Sequence, residues 1–105
     1  MTIYAGITFY EPEQSSVDYV LLLSNLFDRV IIFDNSEVKN TDLDQLFSNK
    51  EKYIYINNGK NLGLSIAYNT MIRYSLDNKS QYLMLFDQDS CFNITKVKNF
   101  LNDIR

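Results

Sequence analysis

Four short apolar runs alternate with four stretches of helical periodicity along this chain of 105 residues, and few folds accept that alternation. The runs lie at residues 3–9, 30–33, 53–56 and 82–86. Runs of this length, rich in Ile, Val, Phe and Tyr, read as strands. The first, Ile-Tyr-Ala-Gly-Ile-Thr-Phe, lacks clean alternation, as a central strand covered on both faces does. The fourth, Tyr-Leu-Met-Leu-Phe, reads the same way, whereas Tyr53-Ile54-Tyr55-Ile56 alternates and belongs nearer a sheet edge. Pro12 ends the first strand because it has no backbone N–H to donate.

Between these runs, Val17, Val20, Leu21 and Phe27 recur at helical spacing and predict a helix over 13–27, with Ser15 and Asp18 at capping-box spacing. Thr41 and Asp44 repeat that spacing ahead of Leu43, Leu46 and Phe47. Leu64, Ala67, Met71 and Tyr74 mark a third helix, and Ile94, Val97, Leu101 and Ile104 a fourth. The order βαβαβαβα predicts an α/β fold: a parallel sheet of about four strands, helices on both faces, right-handed crossovers. No repeat, linker or low-complexity segment divides the chain, which reads as one domain or a piece of one.

The chemistry-bearing residues follow the apolar runs. In open α/β sheets, ligands bind at the carboxyl ends of the strands. The fourth run passes straight into Asp87-Gln88-Asp89. Two carboxylates this close repel unless a cation sits between them or one takes a proton. A divalent cation sharing its oxygen shell with a diphosphate answers that repulsion, and an aspartate capping the next helix is the plainer alternative. Thr8 and Tyr10 follow the first run, and Asp34-Asn35-Ser36 the second. A carboxylate such as Asp34 can accept a pyrimidine ring N–H while Tyr10 stacks on the ring. Equally, Asp34 can cap a turn, and Tyr10 can pack as one of eight tyrosines. The loop 57–63 holds two of the three glycines and should reach the same rim. It lacks the Gly-Lys-Ser/Thr ending of a P-loop, and Gly59 and Gly63 do not fit G-x-G-x-x-G.

Composition narrows the chemistry further. Histidine is absent, which excludes a Ser-His-Asp triad, a Cys-His pair and a His-ligated zinc. Acid–base or metal chemistry must run on carboxylates, Lys, Tyr or backbone. Cys91 is the single cysteine, so no intrachain disulfide forms, and the count fits a reducing compartment. A net charge of −3 supplies no basic field for nucleic acid or an acidic membrane. No apolar stretch is long enough to span a bilayer, and no basic region precedes the first run as in a secretory signal.

Four motifs taken together resemble the amino-terminal half of a family 2, A-type-fold glycosyltransferase, and rhamnosyltransferases in particular. They are Ile7-Thr8-Phe9-Tyr10, Ile32-Phe33-Asp34-Asn35-Ser36, Asn61-Leu62-Gly63 through Ala67 and Asn69, and Leu85-Phe86-Asp87-Gln88-Asp89-Ser90. Their order and spacing cover nearly the whole chain, which is far more specific than the acidic triplet alone. The resemblance implies a Rossmann-like, nucleotide-binding half. Thr8 and Tyr10 would line the nucleoside pocket, Asp34 would accept from the pyrimidine ring, and Asn61 and Gly63 would shape the rim. Asp87 would face the ribose or the metal shell, and Asp89 would hold Mn²⁺ or Mg²⁺ on the diphosphate. The implied partners are a dTDP- or UDP-sugar, with dTDP-rhamnose the leading donor, and a glycan or lipid-linked acceptor. The implied place is the cytoplasm, as a peripheral protein at the inner face of the cell membrane. Many relatives carry Ala-Arg-Asn where this chain has Ala67-Tyr68-Asn69, so Lys60 stands in for the basic contact.

Inverting members of that family place a catalytic carboxylate well beyond the acidic triplet, and this chain ends sixteen residues after Asp89. Residues 1–105 are therefore expected to be the donor half of a glycosyltransferase domain truncated at its carboxyl end, with no catalytic base of its own and no transfer activity alone. Two other classes compete. A haloacid-dehalogenase-like phosphatase also uses an acidic triplet, but near the start of its domain, whereas three strands precede it here. A receiver- or flavodoxin-like module would act through protein contacts and show no preference for a pyrimidine diphosphate.

Overall fold

The computed structural model describes residues 1–88 and 93–105. Its elements run in the expected order: β1 (Ile3–Phe9), α1 (Gln14–Ser24), β2 (Arg29–Asp34), α2 (Thr41–Leu46), β3 (Tyr53–Asn57), α3 (Leu64–Asp77), β4 (Tyr82–Asp87) and α4 (Ile94–Ile104). The four strands form one sheet in the order β3-β2-β1-β4. Every pairing is parallel, with Thr8 opposite both Phe33 and Asp87, and Asp34 between Phe9 and Asn57. This register brings all four carboxyl ends to one edge.

Alternation along β1 and β2 divides the apolar residues between two cores. Ile3, Ala5, Ile7 and Phe9, with Val30 and Ile32, face Val17, Val20 and Leu23 of α1, Leu43 of α2, and Val97 and Leu101 of α4. Tyr4, Ile31 and Phe33 face Ala67 and Met71 of α3 on the other side. All seven residues of β1 are buried, as its unbroken apolar run predicts. Gly6 sits beneath α3, where an added Cβ would lie 2.9 Å from both Met71 Sδ and Leu85 Cδ2. The missing side chain is what lets the helix approach the sheet so closely.

Three local expectations are corrected. Ser15 lies inside α1, whose N-cap is Glu13 and makes no side-chain cap bond; the helix also ends at Ser24. Thr41 is the first residue of α2, and the cap is Asn40, whose side chain accepts from Leu43 N at 3.1 Å. Both are small offsets; at α2 the short Asn40 side chain reaches the third N–H and takes the cap, whereas α1 begins without a side-chain cap. The third correction concerns β4. It is an edge strand with only Phe86 fully buried. Its apolar run reads as two-sided burial, yet Tyr82 is 47% exposed because no described strand lies beyond it. The edge position expected for β3 holds.

The amino-terminal ends of the strands are tied down by their own neighbours. Asp28 accepts from Ile3 N at 2.7 Å, Lys52 Nζ donates to the Phe27 carbonyl at 2.5 Å, and Arg29 lies near the rings of Tyr4 and Tyr74.

Candidate nucleotide-sugar site

An open cleft of about 620 Å³ lies along the carboxyl edge of the sheet. β1 contributes Thr8 and Phe9, and Tyr10 follows it; Asp87 and Gln88 come from the end of β4; Asn35 comes from the end of β2. The far wall is Asn61, Gly63 and Leu64 at the start of α3. Of the residues expected from sequence, Thr8, Tyr10, Asn61, Gly63 and Asp87 thus share one cleft. Asp89 lies outside the described residues, as does Cys91.

Backbone chemistry builds the wall. Asn57 Oδ1 accepts from Gly59 N at 2.7 Å, and Asn61 Oδ1 from Gly63 N at 2.9 Å, two Asx turns that bend the loop. Both glycines take positive φ, +74° and +85°, where other residues are strained. Asn35 clamps the result: its Oδ1 accepts from Leu62 N at 3.0 Å and its Nδ2 donates to the Gly63 carbonyl at 3.3 Å. Gly63 is the N-cap of α3 and offers no side-chain cap, so the first N–H groups of the helix begin on the cleft wall without one.

The opposite wall is braced across strands. Gln88, the middle residue of the acidic triplet, accepts from Tyr10 N through Oε1 at 2.7 Å. Its amide NH₂ is thereby turned away from that bond. Ser36 Oγ accepts from Glu11 N at 2.7 Å, holding Glu11 at φ +44°. Tyr10 is exposed, and the neighbouring carboxylates of Glu11 and then Glu37 raise its phenol above the usual tyrosine value.

Asp34 lies beneath the cleft. It is fully buried, accepts from Tyr55 Oη at 2.5 Å through Oδ2 and from Ser36 N at 2.9 Å through Oδ1, and does not line the cleft. Burial, then the bond to Asp34, hold the Tyr55 phenol well above its usual range. Asp87 is different: exposed, at the rim, and accepting from Tyr68 Oη of α3 through Oδ1 at 2.5 Å. That bond, more than burial, raises the Tyr68 phenol, so it stays a donor.

Among the described residues no lysine or arginine lines the cleft; Lys60, next to Asn61, is exposed and outside the lining. Among the described residues, no three acidic or thiol groups converge on a metal-sized space. Asn35, Gln88, Tyr55 and Tyr68 are the residues whose roles sequence reasoning missed. The first two stood inside recognised motifs; the tyrosines carried no local signal.

Comparison with known proteins decides the family. The model described as "Glycosyl transferase family 2" matches residues 14–105. The chain belongs to glycosyl transferase family 2. Within that family it is similar to the protein named dTDP-rhamnosyl transferase RfbF of Shigella flexneri, with 35% identity over 91 residues. That alignment covers 84% of this chain and 29% of the relative, so the chain spans under a third of the relative's length. No solved structure matches the chain. The parallel α/β sheet is that expected of the nucleotide-binding half of this family 2 fold. Among the described residues, no helix is long and apolar enough to cross a membrane.

Proposed function

We propose that the chain is the donor-binding half of a sugar transferase, taking a nucleoside-diphosphate sugar into the cleft at the carboxyl edge. dTDP-rhamnose is the leading donor, since the Shigella relative is named for it. The observation that carries this reading is the cleft itself. It joins an exposed aromatic, Tyr10, to backbone and amide donors at the start of α3, and to one open carboxylate, Asp87. Tyr10 offers a face to the base, with Thr8 beside it. Asn61 and the uncapped first turn of α3 offer N–H groups to phosphate oxygens. Asp87 keeps an oxygen for a ribose hydroxyl or a cation. Asp34 does not reach the ligand in this reading; it fixes the end of β2 beneath the cleft, with both oxygens taken by Tyr55 and Ser36.

The lining fits a divalent cation for an electrostatic reason. A diphosphate entering here meets Asp87, with Glu11 and Glu37 near the mouth and no cationic side chain on the lining. Asp87 and Asp89 would hold Mn²⁺ or Mg²⁺, which supplies the charge that stabilises the departing diphosphate.

The transfer forms a bond from an acceptor hydroxyl oxygen to the anomeric carbon while the carbon–diphosphate bond breaks, inverting that centre. The hydroxyl proton passes to a base within hydrogen-bond reach. Asp34 is engaged within the scaffold and Asp87 on the donor side, so the base and the wall that binds a glycan or lipid-linked acceptor belong to residues other than these. Titration calorimetry with dTDP-rhamnose and Mn²⁺ tests the reading. Saturable binding, weakened when GDP-mannose replaces it and at least tenfold weaker for Asp87→Asn, is the expected result. Equal affinity for purine and pyrimidine donors would overturn the base assignment, and no binding would overturn the site.

A further inference from the structure

Asp87 is the last residue of β4 and lies open to solvent. An aspartate in that position ordinarily samples several staggered χ1 wells, and a ligand must then freeze it. Here a rigid donor does so beforehand. Tyr68 sits in the second turn of α3, and its ring packs against the cluster of Tyr4, Ile31, Phe33, Ala67 and Met71 beneath the sheet. A ring so anchored leaves its hydroxyl little travel. The hydroxyl meets Asp87 Oδ1 at 2.5 Å, the length of a charge-assisted O–H···O⁻ bond. Oδ2 receives no hydrogen bond from the described residues. Tyr68 itself does not line the cleft, so whatever it does for a ligand it does through Asp87.

We propose that Tyr68 is a positioning residue of the donor site, its hydroxyl holding the Asp87 carboxylate in one rotamer so that Oδ2 alone is presented to the nucleotide. The inference rests on the nucleotide-sugar reading of the cleft. It assigns a task to α3 that sequence position alone does not reveal. The same helix forms the far wall of the cleft with Gly63 and Leu64, and reaches over the sheet with Tyr68 to set the acid on the near wall. Movement of α3 would therefore change both walls together.

The test compares the wild-type chain with Tyr68→Phe, Asp87→Asn and the double variant. Phenylalanine keeps the ring packing and removes only the hydroxyl. In the ligand-free chain, χ1 couplings of Asp87 by NMR should report one rotamer in the wild type and an average of several in Tyr68→Phe. Calorimetry with thymidine diphosphate and Mn²⁺ should show Tyr68→Phe weaker by about fivefold, the scale of one side chain left to be ordered on binding. In the Asp87→Asn background the same change should have no further effect, because the two residues act as one unit. The thermal midpoints of wild type and Tyr68→Phe should agree. An Asp87 rotamer that stays single in Tyr68→Phe overturns the inference whatever the ligand does. So does an unchanged dissociation constant, or a full fivefold loss that persists in the Asp87→Asn background. If the wild type binds no thymidine diphosphate, the nucleotide reading fails and the donor role of Tyr68 fails with it; the NMR couplings then still judge the brace on its own.

Discussion

At the end of β2, Asp34 accepts a tyrosine hydroxyl at 2.5 Å; at the end of β4, Asp87 accepts another at the same distance. The two pairs share their chemistry and differ in their surroundings. Asp34 has strands on both sides, Phe9 and Asn57 in register with it, and no exposed surface. Its second oxygen is taken by Ser36 N. Asp87 terminates an edge strand, pairs only with Thr8 in register, and keeps its second oxygen for something else. A buried carboxylate with every donor supplied by the protein is part of the scaffold. A half-satisfied one at the rim is available to a ligand. The same pair of residue types thus serves rigidity at one strand end and recognition at the other.

Substitutions that remove one member of each pair should separate these uses. The largest effect is expected for Asp34→Ala, which removes a buried carboxylate and leaves Ser36 N and the half-buried Tyr55 Oη without their acceptor. We expect a loss of about 3 kcal/mol in denaturant unfolding, the scale of breaking a buried charged hydrogen-bond set. A loss below about 1 kcal/mol would mean that Asp34 is not a scaffold residue. Tyr55→Phe comes next, at about 2 kcal/mol, because it leaves one carboxylate oxygen unpaired while keeping the ring against Phe47.

Alkaline titration gives a third measure. Burial and Asp34 raise the Tyr55 phenol, so the folded state favours its protonated form. That contribution is fully present below the ordinary tyrosine value of 10.0 and is lost as pH rises through the raised folded value. Stability should be flat in this respect through neutral pH and fall above pH 10, with a shallower fall in Tyr55→Phe. The smallest stability effect is expected at the rim: Asp87→Asn should change unfolding free energy by less than about 0.5 kcal/mol, as exposed polar substitutions do. Its cost should appear in nucleotide binding. A large stability loss there would erase the contrast between the two strand ends.

Strand positions were legible because they follow from local period and composition, and the parallel order because it follows from the alternation of strands and helices. β1 was expected at residues 3–9 and found there. The caps were less legible: Asn40 and Thr41 are adjacent, both are capping types, and only backbone geometry chooses between them. The burial of Asp34 was hidden as well. An acid after an apolar run reads as a strand end open to water, and only the register shows that neighbouring strands extend alongside it. Tyr55 and Tyr68 were two among eight tyrosines, and their partners lie 21 and 19 residues away, beyond any local pattern.

Gly6 is not part of the cleft lining; it lies in the middle of β1, beneath the helix whose start forms the far wall. α3 rests on the sheet at Met71, over the space that a methyl group on Gly6 would occupy. An added methyl there would press on the ends of the Met71 and Leu85 side chains, and α3, which carries Met71, also carries the far wall at Gly63 and Tyr68. The seat of α3 on the sheet is thus set from inside β1, by the one position of that strand without a side chain.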